Sequence, residues 1–122
     1  MNGRILLDTN AIIYALNSGL KLPKANYCIS IITEMELFSY SKLTKDEEQN
    51  IQRLLTNFKI YSISEEVKDM TIYIRKTYAI KLPDSIICAT ALVNKASLIS
   101  NDKQLRKIVD LKIFSLEEFS SP

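Results

Sequence analysis

Arg4-Ile5-Leu6-Leu7-Asp8 is a short apolar run closed by an acid, the pattern of a buried strand whose C-terminal end opens onto a polar site. The segments beyond this run set the fold class. Thr9 to Asn17 reads as a short helix with Ile12, Ile13 and Leu16 on its apolar face, and Gly19 to Asn26, with Pro23 and two lysines, reads as a loop. Tyr27 to Ile31 is a second β-rich run leading into a helix over Ile32 to Ser41. Thr44 has the character of a helix N-cap, with Glu47 at capping-box spacing and Ile51, Leu54, Leu55 and Phe58 at helical intervals beyond it. Lys59 to Ile63 is a third strand, after which Ser64 caps a helix over Glu65 to Tyr78 that carries Val67, Met70 and Ile74 on one face. A loop from Ala79 to Asp84 runs into a helix over Asp84 to Asn94, with Pro83 at its first turn. That helix is apolar nearly all round, so it belongs in the centre of the domain. Ala96 to Ser100 is a fourth strand, Asp102 to Ile108 a short basic helix, and Lys112 to Ser115 a last strand. Strands that alternate with helices along the whole chain predict an α/β fold, a parallel sheet with helices on both faces.

Composition narrows the chemistry. The 122 residues suit one domain spanning 1–122, and 47% hydrophobic content with two glycines and three prolines is that of an ordinary globular chain. There is no histidine, which removes histidine general bases, Ser-His-Asp and Cys-His nucleophile systems, and zinc sites with imidazole ligands. Carboxylates must carry most of any catalysis. Sixteen Lys and Arg against fourteen Asp and Glu leave a net charge of +2, so charge distribution matters more than the sum. Cys28 and Cys88 lie in apolar segments without metal-ligand spacing and read as buried free thiols, which fits a reducing compartment. The first ten residues lack the apolar run of a signal peptide, and no window approaches the ~20 apolar residues of a membrane span. A cytoplasmic location without membrane attachment is expected.

Three carboxylates fall where parallel sheets build sites, at the ends of strands or the start of a helix. Asp8 ends the first strand, Asp84 opens the apolar helix and Asp102 follows the fourth strand. Each has a plainer reading, Asp84 as an N-terminal capping acid and Asp8 as a loop-orienting residue. Together they are harder to dismiss, because converging carboxylates repel one another and raise their own pKa values unless a cation neutralises them. With oxygen ligands alone available, Mg²⁺ or Mn²⁺ is favoured over zinc or copper.

Four stretches carry a family resemblance: Leu6-Leu7-Asp8-Thr9-Asn10, Ile29 to Leu37, Leu82 to Ala91, and Ile99-Ser100-Asn101-Asp102. In this order and spacing the chain resembles PIN-domain ribonucleases, above all the VapC-type toxins of toxin–antitoxin pairs. The resemblance implies a three-layer α/β/α fold with a five-stranded parallel sheet, usually in a homodimer. It further implies that Asp8, Glu36, Asp84 and Asp102 bind one or two Mg²⁺ or Mn²⁺ ions and activate water against an RNA phosphodiester. Asn10 matches the polar position after the first acid, and Ser100 stands where the family more often has threonine, keeping the hydroxyl. Periodicity alone does not choose between Glu34 and Glu36, which lie about 200° apart around one helix. The Thr-x-x-Glu-Leu pattern of the family chooses Glu36.

An acidic site that takes a polyanion needs cations near it. Lys81 precedes Asp84, and Lys103, Arg106 and Lys107 follow Asp102, as candidate contacts to RNA phosphates, with Lys21 and Lys24 in the loop after the first helix. Tyr14 is expected to pack in the core rather than stack on a base. The resemblance also implies a small antitoxin lying across the site, with Met35, Leu37, Phe38 and Tyr40 as groove formers unless they are core. Competing readings are a PIN-like binding module without activity, a receiver domain and an acid-pocket phosphatase. The receiver reading lacks an acid at the end of the third strand, and the phosphatase reading lacks a second acid at Asn10.

Overall fold

Residues 3–120 are described in the computed structural model, so Met1, Asn2, Ser121 and Pro122, the ends of the expected 1–122 domain, lie outside the described residues. The chain order is β1 (Arg4–Leu7), α1 (Thr9–Ser18), β2 (Asn26–Ser30), α2 (Ile31–Phe38), α3 (Lys45–Leu55), β3 (Lys59–Tyr61), α4 (Glu65–Tyr78), α5 (Leu82–Val93), β4 (Ser97–Ile99), a 3₁₀ turn (Lys103–Lys107), β5 (Ile113–Phe114) and α6 (Leu116–Ser120). The five strands form one sheet in the order β3-β2-β1-β4-β5, and every pairing is parallel. The expected three-layer architecture is therefore the one observed.

Alternation along β1 divides the core. Leu6 pairs in register with Cys28 and Leu98, and all three pack on one face against Val67 and Ile74 of α4 and Ile87 and Cys88 of α5. Ile5 and Leu7 point the other way with Ile29 and Ile99, against Ile12 of α1, Leu37 of α2 and Ile51 and Leu55 of α3. A strand buried on both faces must be apolar at every position, which is why β1 reads as a continuous run. Helix α5 is buried from Ser85 through Ala91, as its all-round apolar sequence requires. Both cysteines are buried and free. No helix among the described residues is long and apolar enough to cross a membrane.

Several boundaries differ from the sequence reading. Helix α5 begins at Leu82, with Lys81 as N-cap. Pro83 is tolerated inside the first turn because its missing N–H would have had no helical partner there. Asp84 is consequently a first-turn residue, not the cap. Helix α2 ends at Phe38, where the Ser39 hydroxyl and amide both turn back to the Met35 carbonyl. The basic stretch after Asp102 is a 3₁₀ turn. Helix α6 was not anticipated, although Ser115 and Glu118 form a reciprocal cap: the Glu118 amide donates to the Ser115 hydroxyl at 3.0 Å, and the Ser115 amide to Glu118 at 2.7 Å. These bonds, with Arg106 at 2.6 Å, hold the Glu118 carboxyl down at about 2.

Leu98 lies fully buried in β4 between β1 and β5. Leu98→Ala is expected to lower unfolding free energy by about 2–5 kcal/mol in urea denaturation, and a loss well below this would show that the layer around β4 is loosely packed.

Candidate active site

The strand order places β2 and β4 on opposite sides of β1, so the connections leaving β1 and β4 diverge and open a crevice at their C-terminal ends. Asp8 stands at this point. It caps α1 by accepting the Ala11 amide at 2.8 Å, and it is only 8% exposed. Pairing of Leu7 with Ile99 brings the end of β4 alongside, and the Asp8 amide donates to the Ile99 carbonyl at 3.1 Å. Ser100, buried at that end, donates its hydroxyl to Asp8 and accepts the Asp102 amide at 3.1 Å. Asp102 in turn caps the 3₁₀ turn through the Gln104 amide at 3.0 Å.

The other two acids arrive on helices. Asp84 is half-buried in the first turn of α5. Glu36 projects from α2 to within 2.6 Å of the Thr9 hydroxyl, which lies 3.1 Å from that of Thr33. Glu34 lies elsewhere, beside Met35, Phe38, Glu48 and Gln52 in a shallow depression toward α3. Geometry thus separates the two glutamates that periodicity left open.

The acids feel one another. Burial raises the Asp8 pKa, the bonds from Ser100 and Ala11 oppose the rise, and the charges of Asp84 and Asp102 add to it. Burial also raises Asp84, with Asp102 and Glu36 adding and Lys81 opposing. Cys88, one turn beyond Asp84 on the buried helix, has its thiol pushed up to about 12 by burial and then by Asp84, Asp8 and Asp102. The ion pairs among the described residues, Lys68–Glu65 and Arg106–Glu118, leave all four acids out.

The PIN domain family profile matches residues 5–111. This chain belongs to the PIN domain family. Solved structures similar over nearly the whole chain include a toxin–antitoxin complex from Klebsiella pneumoniae, with 30% identity over 92% of this chain and 97% of that one and a TM-score of 0.76. They also include a VapBC2 complex from Rickettsia felis bound to a promoter DNA fragment (21% identity, 92% and 98% covered, TM-score 0.80). A DNA-bound VapBC complex from Salmonella typhimurium is similar too (20% identity, 95% and 99% covered, TM-score 0.77). No curated protein matches the sequence. The family assignment sets aside the receiver and phosphatase readings.

Within this PIN domain, no group of three acids among the described residues is gathered closely enough to hold one ion as the side chains stand. The donor set nonetheless suits a hard divalent cation, since it is all oxygen, one member is buried with a raised pKa, and no lysine or arginine pairs with it. Among the candidate phosphate contacts, Lys81 lies beside Asp84, while Lys103 and Lys107 are exposed. Arg106 is engaged with Glu118. Asn10 is exposed in the first turn of α1. Tyr14 is 55% exposed, which corrects the expectation that it packs in the core; α1 turns that side to solvent. The sequence reading used Thr9 and Thr33 only as motif positions and gave neither a role in the site, although the three-residue spacing of Thr33 and Glu36 puts both on one helix face.

The raised Asp8 pKa has a stability consequence with a definite sign. A carboxyl that binds its proton more tightly in the fold than in the unfolded chain destabilises the fold once ionised, above its folded pKa. This penalty fades as pH falls toward the ordinary aspartate value. Asn still caps a helix, so Asp8→Asn is expected to raise the melting temperature of metal-free protein near neutral pH, with the gain shrinking on acidification. A lowered melting temperature at neutral pH would contradict this.

Proposed function

We propose that this PIN domain is a Mg²⁺- or Mn²⁺-dependent endoribonuclease and the toxin of a toxin–antitoxin pair. The observation that carries the reading is that four separate segments bring Asp8, Asp84 and Asp102 within one another's electrostatic reach and Glu36 within reach of Asp84, with no lysine or arginine among the described residues ion-paired to any of them. Such a concentration of unpaired negative charge costs folding free energy and makes sense as a cation site. Asp8, Glu36, Asp84 and Asp102 would hold the ion. When bound, it supplies Lewis-acid polarisation of a phosphoryl oxygen and lowers the pKa of water at the site.

The chain's own residues then divide the remaining work. Asp8 is fixed from two sides, by the Ala11 amide and the Ser100 hydroxyl, and Ser100 ties its position to that of Asp102. Lys81 beside Asp84 and exposed Lys103 and Lys107 offer positive charge to hold an RNA backbone against an acidic crevice. Without histidine, the route is water attack rather than 2′-OH attack run by an imidazole pair, so products with 5′-phosphate and 3′-OH ends are expected.

The toxin part of the reading is supported by the similar toxin–antitoxin complexes and by an apolar groove of about 800 Å³ between α1, α2 and α3, lined by Leu16, Leu20, Tyr40 and Leu54. Glu36 stands on its margin. An antitoxin segment lying there would reach the acids, and a basic side chain on it would neutralise them. We further place the protein in the cytoplasm as a homodimer, the usual setting of such pairs.

Purified protein is expected to cleave structured RNA only with Mg²⁺ or Mn²⁺, and chelation, Asp8→Asn or Asp84→Asn should abolish cleavage without unfolding. Glu36→Gln should match those losses while Glu34→Gln stays near wild type; equal effects would undo the assignment. Activity should fail on acidification at higher pH than ordinary carboxylates would dictate, because Asp8 and Asp84 are both raised. Metal-independent cleavage would overturn the metal requirement, and no cleavage by the intact protein would overturn the nuclease reading in favour of a binding module.

A further inference from the structure

Glu36 differs from the other acids in how it is held. Asp8 and Asp102 accept backbone amides at the starts of helical turns, and Asp84 lies in a first turn. Glu36 sits in the second half of the short helix α2, where no unpaired amide faces it. The polar group that reaches it is the hydroxyl of Thr9, at 2.6 Å. A carboxylate only accepts, so this bond takes the single Thr9 proton. The Thr9 oxygen is then left as an acceptor toward Thr33, 3.1 Å away. Thr33 is fully buried, where an unpaired hydroxyl would be costly. Its proton therefore points to Thr9, and the directions run Thr33 to Thr9 to Glu36.

We propose that Thr9 is a positioning residue that aims the Glu36 carboxylate at the crevice, with buried Thr33 fixing the direction of the Thr9 hydroxyl. The inference rests on the metal-site reading above and deepens it. Thr9 directly follows Asp8 in the chain, so one residue couples the strand-end acid to the helix-borne acid. Helix α2 and the β1–α1 junction are thereby locked at a spacing that neither backbone sets alone. A hydroxyl does this without neutralising the carboxylate, which remains able to take a cation.

Mn²⁺ titration of the metal-free protein, followed by the electron paramagnetic resonance of unbound Mn²⁺, tests this apart from catalysis. Thr9→Val keeps the shape and deletes the bond, and it is expected to weaken Mn²⁺ affinity about 10–100-fold, the usual effect of removing a group that orients a ligand. Thr9→Ser should restore wild-type affinity. In a Glu36→Gln background, Thr9→Val should cause no further loss, because the hydroxyl acts through that carboxylate. Thr33→Val, which leaves Thr9 in place without its donor, should produce a smaller loss with the same dependence on Glu36, and it carries the test where Thr9→Val folds poorly. Wild-type affinity in Thr9→Val and Thr33→Val, or equal losses in the Glu36→Gln background, would overturn the inference and leave the metal site standing. A wild-type protein that binds no Mn²⁺ would overturn the metal-site reading, and this inference with it.

Discussion

Burial of carboxylates at one end of a parallel sheet, to which the charges of neighbouring acids add, is the constraint on which the rest of the molecule depends. Burial and mutual charge push Asp8 and Asp84 in the same direction, toward the protonated form. The chain meets this with neutral donors. Three of the acids stand in the first turn or at the cap of a helical segment, where unpaired amides and the helix dipole favour negative charge. The fourth, Glu36, lacks that position and receives the Thr9 hydroxyl instead.

The sheet and its core serve this arrangement. Because β1 lies between β2 and β4, the chain leaves it for one side and later returns on the other, and the crevice forms where the two paths part. Leu6 faces α4 and α5 while Ile5 and Leu7 face α1, α2 and α3, so β1, the middle strand of the sheet, is packed on both faces. Asp8 and Ser100 therefore meet on paired backbones, and sites on rigid elements are held more precisely than sites on loops.

Much of this was legible in the sequence because it is written in local patterns. The continuous apolar run of β1, the Thr44 capping box and the all-round apolar α5 each follow from burial or hydrogen-bond rules over a few residues, and each is observed. The acids at strand ends were visible for the same reason. Glu36 was not separable from Glu34 by periodicity, since the choice depends on where α1 lies relative to α2, a tertiary fact. Helix α6 was legible in principle through Ser115 and Glu118, but its short length gave no apolar period to draw notice. Tyr14 was misjudged because an aromatic on a short amphipathic helix reads as core until the width of the neighbouring helices is known.

The choice of hydroxyls over cations as scaffolding has its own logic. A lysine or arginine paired with Asp8 or Glu36 would relieve the repulsion more completely, but it would also occupy the lone pairs and cancel the charge that a divalent ion needs. A serine or threonine oxygen supplies one short, directional bond and leaves the net charge unchanged. Its reach is short as well, so it can act only where backbones already lie close, as β1 and β4 do at Ser100 and as α1 and α2 do at Thr9. The hydroxyls thus convert the precision of the sheet into the orientation of the acids, and the remaining unneutralised charge is the feature that a cation, or a basic side chain of a partner, is left to satisfy.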